Sequence, residues 1–174
     1  MPIFSGTYHS KLDRGRCFFP AAFRKELPDA AVVRLKVRVT EDDAKYLEIY
    51  TDEDWKKMVA DLKRAIGYDP SKYDEDEYEK RLTVSDFTGS VEDIEIELKS
   101  GTNPANVGRI MIPKTKLTDA EIGNEVTFVG TDGMVLVWDK KAYENRQKNL
   151  AGDSLKSRML KFKQKQSQSQ SQSQ

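Results

Sequence analysis

Gly15-Arg16-Cys17-Phe18-Phe19-Pro20 returns 93 residues later as Gly108-Arg109-Ile110-Met111-Ile112-Pro113: in each copy Gly-Arg, three apolar residues, then Pro. A second matched pair follows in the same order. Leu47-Glu48-Ile49-Tyr50 leads to Trp55, and 88 residues on Val135-Leu136-Val137-Trp138 leads to Tyr143. Two motifs repeated in one order at nearly one offset mark an internal duplication with small insertions, the first feature to settle in assigning a fold.

The secondary-structure signals divide along the same line. Residues 4–12 and 16–19 read as short strands around a Leu12-Asp13-Arg14-Gly15 turn, where Gly15 supplies the backbone freedom. Pro20 suits the first position of a short helix over 20–27, where a missing N–H costs nothing. Val33, Leu35, Val37 and Val39 alternate with Arg34, Lys36 and Arg38, and residues 47–49 return after an Asp42-Asp43 turn, which predicts a second hairpin. Thr51 and Asp54 form a capping box for a helix carrying Trp55, Met58, Val59, Leu62 and Ile66 at helical spacing, with Gly67 as its stop.

In the second half a strand region over 87–100 alternates Ile94, Ile96 and Leu98 with Glu95 and Glu97. Residues 126–129 are expected to pair with 134–137 across Thr131-Asp132-Gly133. Asp139 then caps a helix to about Leu150, with Gly152 after it. The expected organisation is a first half over 1–67, an acidic helical linker over 68–86, a second half over 87–152 and a tail over 153–174. In the linker, Ser71 and Asp74 can start a second helix, read as a solvated one. In the tail, Leu155, Met159, Leu160 and Phe162 mark the apolar face of a short basic helix. Residues 166–174 have nothing to bury and are expected to be unstructured.

Composition removes whole classes of function. The chain has 174 residues, 37% of them hydrophobic, and no apolar run approaches the roughly 18 residues of a membrane span. The N-terminus has neither a basic nor a long apolar leader region, so a soluble, unexported protein is expected. Cys17 is the one cysteine and His9 the one histidine, which excludes disulfide scaffolds and zinc sites; neither metal nor cofactor is expected. Cys17 reads as a small buried hydrophobe and His9 as an exposed strand residue. The carboxylates lie in surface runs without a partner base, so no catalytic residue is nominated and no enzyme is expected.

The 29 basic and 29 acidic residues cancel, but their layout is uneven. Residues 1–40 hold Lys11, Arg14, Arg16, Arg24, Lys25, Arg34, Lys36 and Arg38 against three acids, and residues 69–79 hold six acids against Lys72. Such polarity can orient a polyanion without a high pI.

Phe4-Ser5-Gly6, Leu12 to Arg16, Pro20-Ala21-Ala22-Phe23-Arg24 and Leu27 together resemble the MraZ family of bacterial transcriptional regulators. So do Gly108 to Pro113, Glu125 to Gly130, and Val137-Trp138-Asp139 with Tyr143. The resemblance covers about residues 3–150. It implies an α/β, β-rich fold of the SpoVT/AbrB type: a tandem, pseudo-twofold pair of swapped hairpins forming a β-barrel unit with peripheral helices. It further implies a ring-shaped homo-oligomer that binds repeated operator boxes in double-stranded DNA, in the cytoplasm and on the nucleoid, without a small-molecule ligand. The family's Asp-x-Lys/Arg-Gly-Arg loop lands on Asp13, Arg14, Gly15 and Arg16 in the first half and on Gly108 and Arg109 alone in the second. Here the first loop is one residue shorter than the family pattern, and no Asp precedes Gly108.

Physical chemistry offers two uses for these residues. Lys11, Arg14, Gly15 and Arg16, with Gly108 and Arg109 at the equivalent turn, can present a short β-ribbon to a major groove, where an arginine grips guanine or clamps phosphate. Alternatively, Arg16 and Arg109 start strands and form internal ion pairs, Arg16 with Asp13. The tail adds phosphate attraction or serves as a solubilising end. The competing function is a ring-forming interaction protein, or an antitoxin-like one, without sequence-specific DNA binding and with its acidic segments facing a protein partner. Tyr50, Trp55, Trp138 and Tyr143 read as core packing at strand-to-helix corners.

Overall fold

The computed structural model describes residues 2–101, 103–150, 152 and 154–172; residues 173–174 of the expected unstructured tail lie outside them. The chain runs β1 (Thr7–Lys11), β2 (Arg16–Phe18), α1 (Ala21–Arg24), β3 (Val32–Val39), β4 (Leu47–Thr51), α2 (Asp52–Ile66) and α3 (Glu75–Gly89). It continues through β5 (Glu92–Glu97), β6 (Arg109–Met111), α4 (Lys114–Asp119), β7 (Glu125–Thr131), β8 (Met134–Asp139), α5 (Lys140–Asn149) and α6 (Leu155–Ser171). Residues 1–140 form one compact unit and residues 141–174 another.

In the first unit six strands make an antiparallel sheet in the order β1-β7-β8-β4-β3-β5, and β2 and β6 make a separate two-stranded ribbon. The order is unchanged when β1, β3 and β4 are exchanged for β5, β7 and β8. This is the α/β swapped-hairpin architecture. The backbones of Asp13 and Arg16 close the first turn with two bonds of 2.9 Å, yet the strands leaving it part company. β1 pairs with β7 and β2 with β6, both in the other half.

The register locates the symmetry. Cys17 faces Ile110, and Glu48 faces Leu136. At both places a residue meets its own counterpart in the repeat, as an axis between antiparallel strands requires. The Phe19 N–H donates to the Gly108 carbonyl and the Ile112 N–H to the Gly15 carbonyl, each at 2.8 Å, one bond being the image of the other.

The core lies between sheet and ribbon. Val33, Leu35 and Val37 of β3, Ile94 and Ile96 of β5, and Val126 and Phe128 of β7 meet Cys17 and Ile110 on the ribbon's inner face. Phe23 of α1 has no exposed surface and takes edge contacts from Phe4, Tyr8 and Phe19 at 5.6, 5.2 and 5.8 Å. Burial of Cys17 pushes its thiol up to about 12, from an ordinary value near 9.0. Below pH 9 both folded and unfolded thiols keep their proton. As pH rises from 9 toward 12 only the unfolded chain releases it, so stability is expected to fall, with a slope approaching about 1.4 kcal/mol per pH unit. Urea midpoints between pH 8 and 10 check this, and Cys17→Ala should flatten the slope.

The Thr51 hydroxyl accepts from the Asp54 N–H to start α2, and Gly67 at φ 66° ends it, as the spacing predicts. Asp74 caps α3. Most of this helix is exposed, and it docks at two points. Phe87 stacks on Trp55 at 4.9 Å, with the Arg38 guanidinium 4.8 Å from the Phe87 ring. The buried Glu77 carboxylate accepts from the Asp69 N–H at 2.8 Å and from Lys80 at 3.1 Å. Phe87, expected to open a strand, lies one helical step beyond Val84 and extends the packed face of α3; the alternation that makes β5 starts at Glu92. Tyr50, Trp55 and Trp138 are buried, and Trp138 stacks on Tyr46 at 4.5 Å.

In the second unit α6 runs to Ser171, through residues expected to be unstructured. The run has no Gly or Pro, Gln is a good helix former, and the Ser167 and Ser171 hydroxyls donate to the Lys163 and Ser167 carbonyls at 3.1 and 2.8 Å. No helix among the described residues is long and apolar enough to cross a membrane.

Candidate nucleic-acid interface

A two-stranded ribbon has two faces, and strand alternation sorts this one cleanly. Cys17 and Ile110 point into the core, while Arg16, Phe18, Arg109 and Met111 are exposed on the outer face. Arg16 stands opposite Met111 and Phe18 opposite Arg109. The two arginines are therefore diagonal neighbours, roughly 7–8 Å apart by ladder geometry. Pseudo-symmetry thus brings to one surface the two Gly-Arg motifs, which lie 93 residues apart in the chain.

The turns that launch the strands share one backbone. Gly15 and Gly108 both hold φ 82°, in the left-handed region that suits glycine, and Gly15 is packed against backbone. A Cβ on Gly15 would lie 2.8 Å from the Ile112 carbonyl oxygen, and one on Gly108 would collide with the Arg24 guanidinium. Arg14, just before Gly15, also has positive φ, 51°. Lys11 ends β1 opposite Glu125 and is exposed, as is Arg14.

Asp13 meets Arg16 through backbone atoms, and no carboxylate among the described residues lies within 4.0 Å of the charged groups of Lys11, Arg14, Arg16 or Arg109. Arg109 instead lies over the Phe18 ring, 4.8 Å from its centroid. Phe18 and Met111 are 50% and 48% exposed, unusual for residues of their size, and they give the arginine face an apolar floor.

The two ends of the ribbon differ in charge. A cavity of about 280 Å³ opens between Arg16, Arg109 and Met111 on one side and Glu95, Glu97 and Asn106 on the other. Glu95 is paired with Arg34 at 3.8 Å, and Glu97 Oε2 is buried without a hydrogen-bond partner. β5 thus lays carboxylates beside the second-half turn, where the corresponding strand β1 carries His9 and Lys11. His9 is exposed, with Nδ1 2.8 Å from Thr127 Oγ1.

Lys11, Arg14, Gly15 and Arg16 thus form one turn, and Gly108 and Arg109 reach the same ribbon from the other half. Sequence reasoning missed Phe18, Met111 and Arg24. Phe18 and Met111 lie inside the repeated motif as its apolar residues, and their exposure follows from the period-two alternation around buried Cys17 and Ile110. Arg24 belongs to the Pro20-to-Arg24 segment, but its place over Gly108 depends on the swap. Among the described residues no group of His, Cys, Asp and Glu is arranged to hold a metal ion.

A family model described as "MraZ protein, putative antitoxin-like" matches residues 103–163. The chain is 31% identical over 144 residues to a protein of Bacteroides thetaiotaomicron named transcriptional regulator MraZ, covering 81% of each chain. It is 32% identical over 143 residues to the protein of that name from Cutibacterium acnes, covering 82% of this chain and 85% of that one. To the one from Christiangramia forsetii it is 29% identical over 153 residues, covering 85% of both. Identity at this level over four fifths of both chains places the chain in the MraZ family.

Proposed function

We propose that this chain is a DNA-binding transcriptional regulator that lays the outer face of the β2–β6 ribbon in a major groove, rather than an enzyme. The observation that carries the reading is the pair Arg16 and Arg109, diagonal neighbours on an exposed β-ribbon with no carboxylate within 4.0 Å among the described residues. A two-stranded ribbon fits a major groove, and guanidinium forks suit both guanine edges and phosphates. Lys11 and Arg14 supply backbone contacts at the first turn. The relatives' shared name, transcriptional regulator, supports the same use of the site.

In this reading the chain self-associates into a ring, so that several ribbons meet repeated operator boxes, and works in the cytoplasm on the nucleoid. Repetition raises avidity without new contacts at any one ribbon. The test is an electrophoretic shift series with the full chain against the DNA upstream of its own coding sequence and a scrambled duplex, at several salt concentrations. Tighter binding to the upstream DNA, with affinity falling log-linearly in salt, is expected. Equal affinity for both duplexes would remove the sequence-specific reading, and no shift at low salt would remove DNA altogether.

A further inference from the structure

Two helices carry exposed apolar faces of opposite charge. On α3, Phe87, Val84 and Glu77 face the protein, and Tyr78, Leu82 and Ser85 point away from it at spacings of four and three. Tyr78 and Leu82 are 59% and 41% exposed, and Tyr73, just ahead of the helix, is 90% exposed. Glu79 and Asp86 run along one flank of this stripe. Beside Tyr73 and Tyr78 a cavity of about 110 Å³ is lined also by Lys72, Asp74 and Arg81.

The same pattern occurs on α6 with the charge reversed. Leu155, Met159 and Phe162 follow one another at spacings of four and three, and are 66%, 52% and 65% exposed. Lys156 and Lys163 occupy the flank positions that Glu79 and Asp86 occupy on α3, each one residue after a member of the stripe. Between Leu155 and Ser171 there is no acidic residue.

We propose that the outward face of α3 receives α6 from a second copy of this chain. Antiparallel packing brings the two stripes into register to within one residue, a rise of about 1.5 Å. Phe162 meets Tyr78 and its cavity, Met159 meets Leu82, and Leu155 covers the small Ser85. In that same register Lys163 stands against Glu79 and Lys156 against Asp86, since like flanks meet when helices pack antiparallel; on the other flank Arg81 and Arg158 are like charges, so the acidic–basic flank carries the charge complementarity. The occupant is a second copy because each chain carries one face of each kind, acidic on α3 and basic on α6, so a head-to-tail contact between copies uses both. A contact between two different patches runs head to tail and closes into a ring or extends. This contact rests on the self-association in the reading above and is independent of its DNA contacts.

Light scattering across a concentration series on the full chain, without DNA, tests it. Lys156→Glu with Lys163→Glu should raise the concentration of half-assembly at least tenfold. Glu79→Lys with Asp86→Lys should do the same, and the four changes together should restore assembly. All ten side chains of the two stripes and flanks are exposed, so circular dichroism should be unchanged. In a second measurement, Leu82→Cys and Met159→Cys proteins with distinguishable tags are mixed and oxidised; a covalent dimer containing both tags is expected. Wild-type protein that stays monomeric at micromolar concentration would overturn both this contact and the ring. An oligomer whose mass ignores the substitutions would overturn the contact alone. A chain carrying both cysteines that closes only on itself would overturn the second copy as occupant.

Discussion

Replacing Phe23 with alanine is expected to remove about 3–5 kcal/mol of stability, the range for a fully buried phenylalanine cut back to a methyl group. The helix that bears it explains why the loss should fall toward the upper end. α1 is four residues long and has no side-chain cap at its N-terminus, so it has no stability of its own to fall back on. What fixes it is the Phe23 ring, held edge-on by Phe4 from the N-terminal segment, Tyr8 from β1 and Phe19 from the end of the ribbon. Truncation would leave three rings without their common neighbour. Arg24, the next residue, would also lose its seat over Gly108. Urea unfolding followed by circular dichroism measures the effect, with Phe23→Leu expected to lose much less because most of the volume is kept. A loss below 1 kcal/mol for the alanine variant would show that α1 is held by something else.

The repeat made the architecture legible before any coordinate. Alternation in residues 33–39, the capping pair Thr51 and Asp54, and the Gly67 stop all depend on near neighbours in sequence, and the structure contains each of them. Pairing partners are a different matter. Residues 4–19 read as one hairpin because the Asp13-to-Gly15 turn is local; that β1 leaves for β7 and β2 for β6 follows from contacts about 90 to 120 residues away. α3 reads as solvated because its charges dominate its composition, and the residues that dock it, Glu77 and Phe87, are an acid and a ring at the far end of the segment. The site divides the same way. Both Gly-Arg turns were visible as motifs, but their meeting on one face, with Phe18 beneath Arg109, exists only once the halves exchange strands.

That shared face is not symmetric, and the asymmetry sets the largest effect expected on binding. Arg16→Ala should weaken DNA binding more than Arg109→Ala. The Arg109 guanidinium is already engaged over Phe18, and Gly108 beside it donates to the Glu97 carbonyl, while Glu95 and Glu97 line one cavity with both arginines. Arg16 faces the uncharged Met111 and shares its turn with Arg14, close in sequence to Lys11. If Arg16 clamps a phosphate, its loss should lower affinity for every duplex and reduce the salt slope by about 0.9 per ribbon engaged. If it grips a guanine, the loss should be about 1–3 kcal/mol on the upstream DNA and small on a scrambled duplex. In an assembly the loss recurs at every bound ribbon, so a moderate defect per site can abolish binding at working concentrations. Titration of both variants against both duplexes separates these cases, once circular dichroism shows each variant folded. Equal losses for the two substitutions would mean that the ribbon is used symmetrically despite its acidic edge, and unchanged affinity in the Arg16 variant would move the contact off the ribbon.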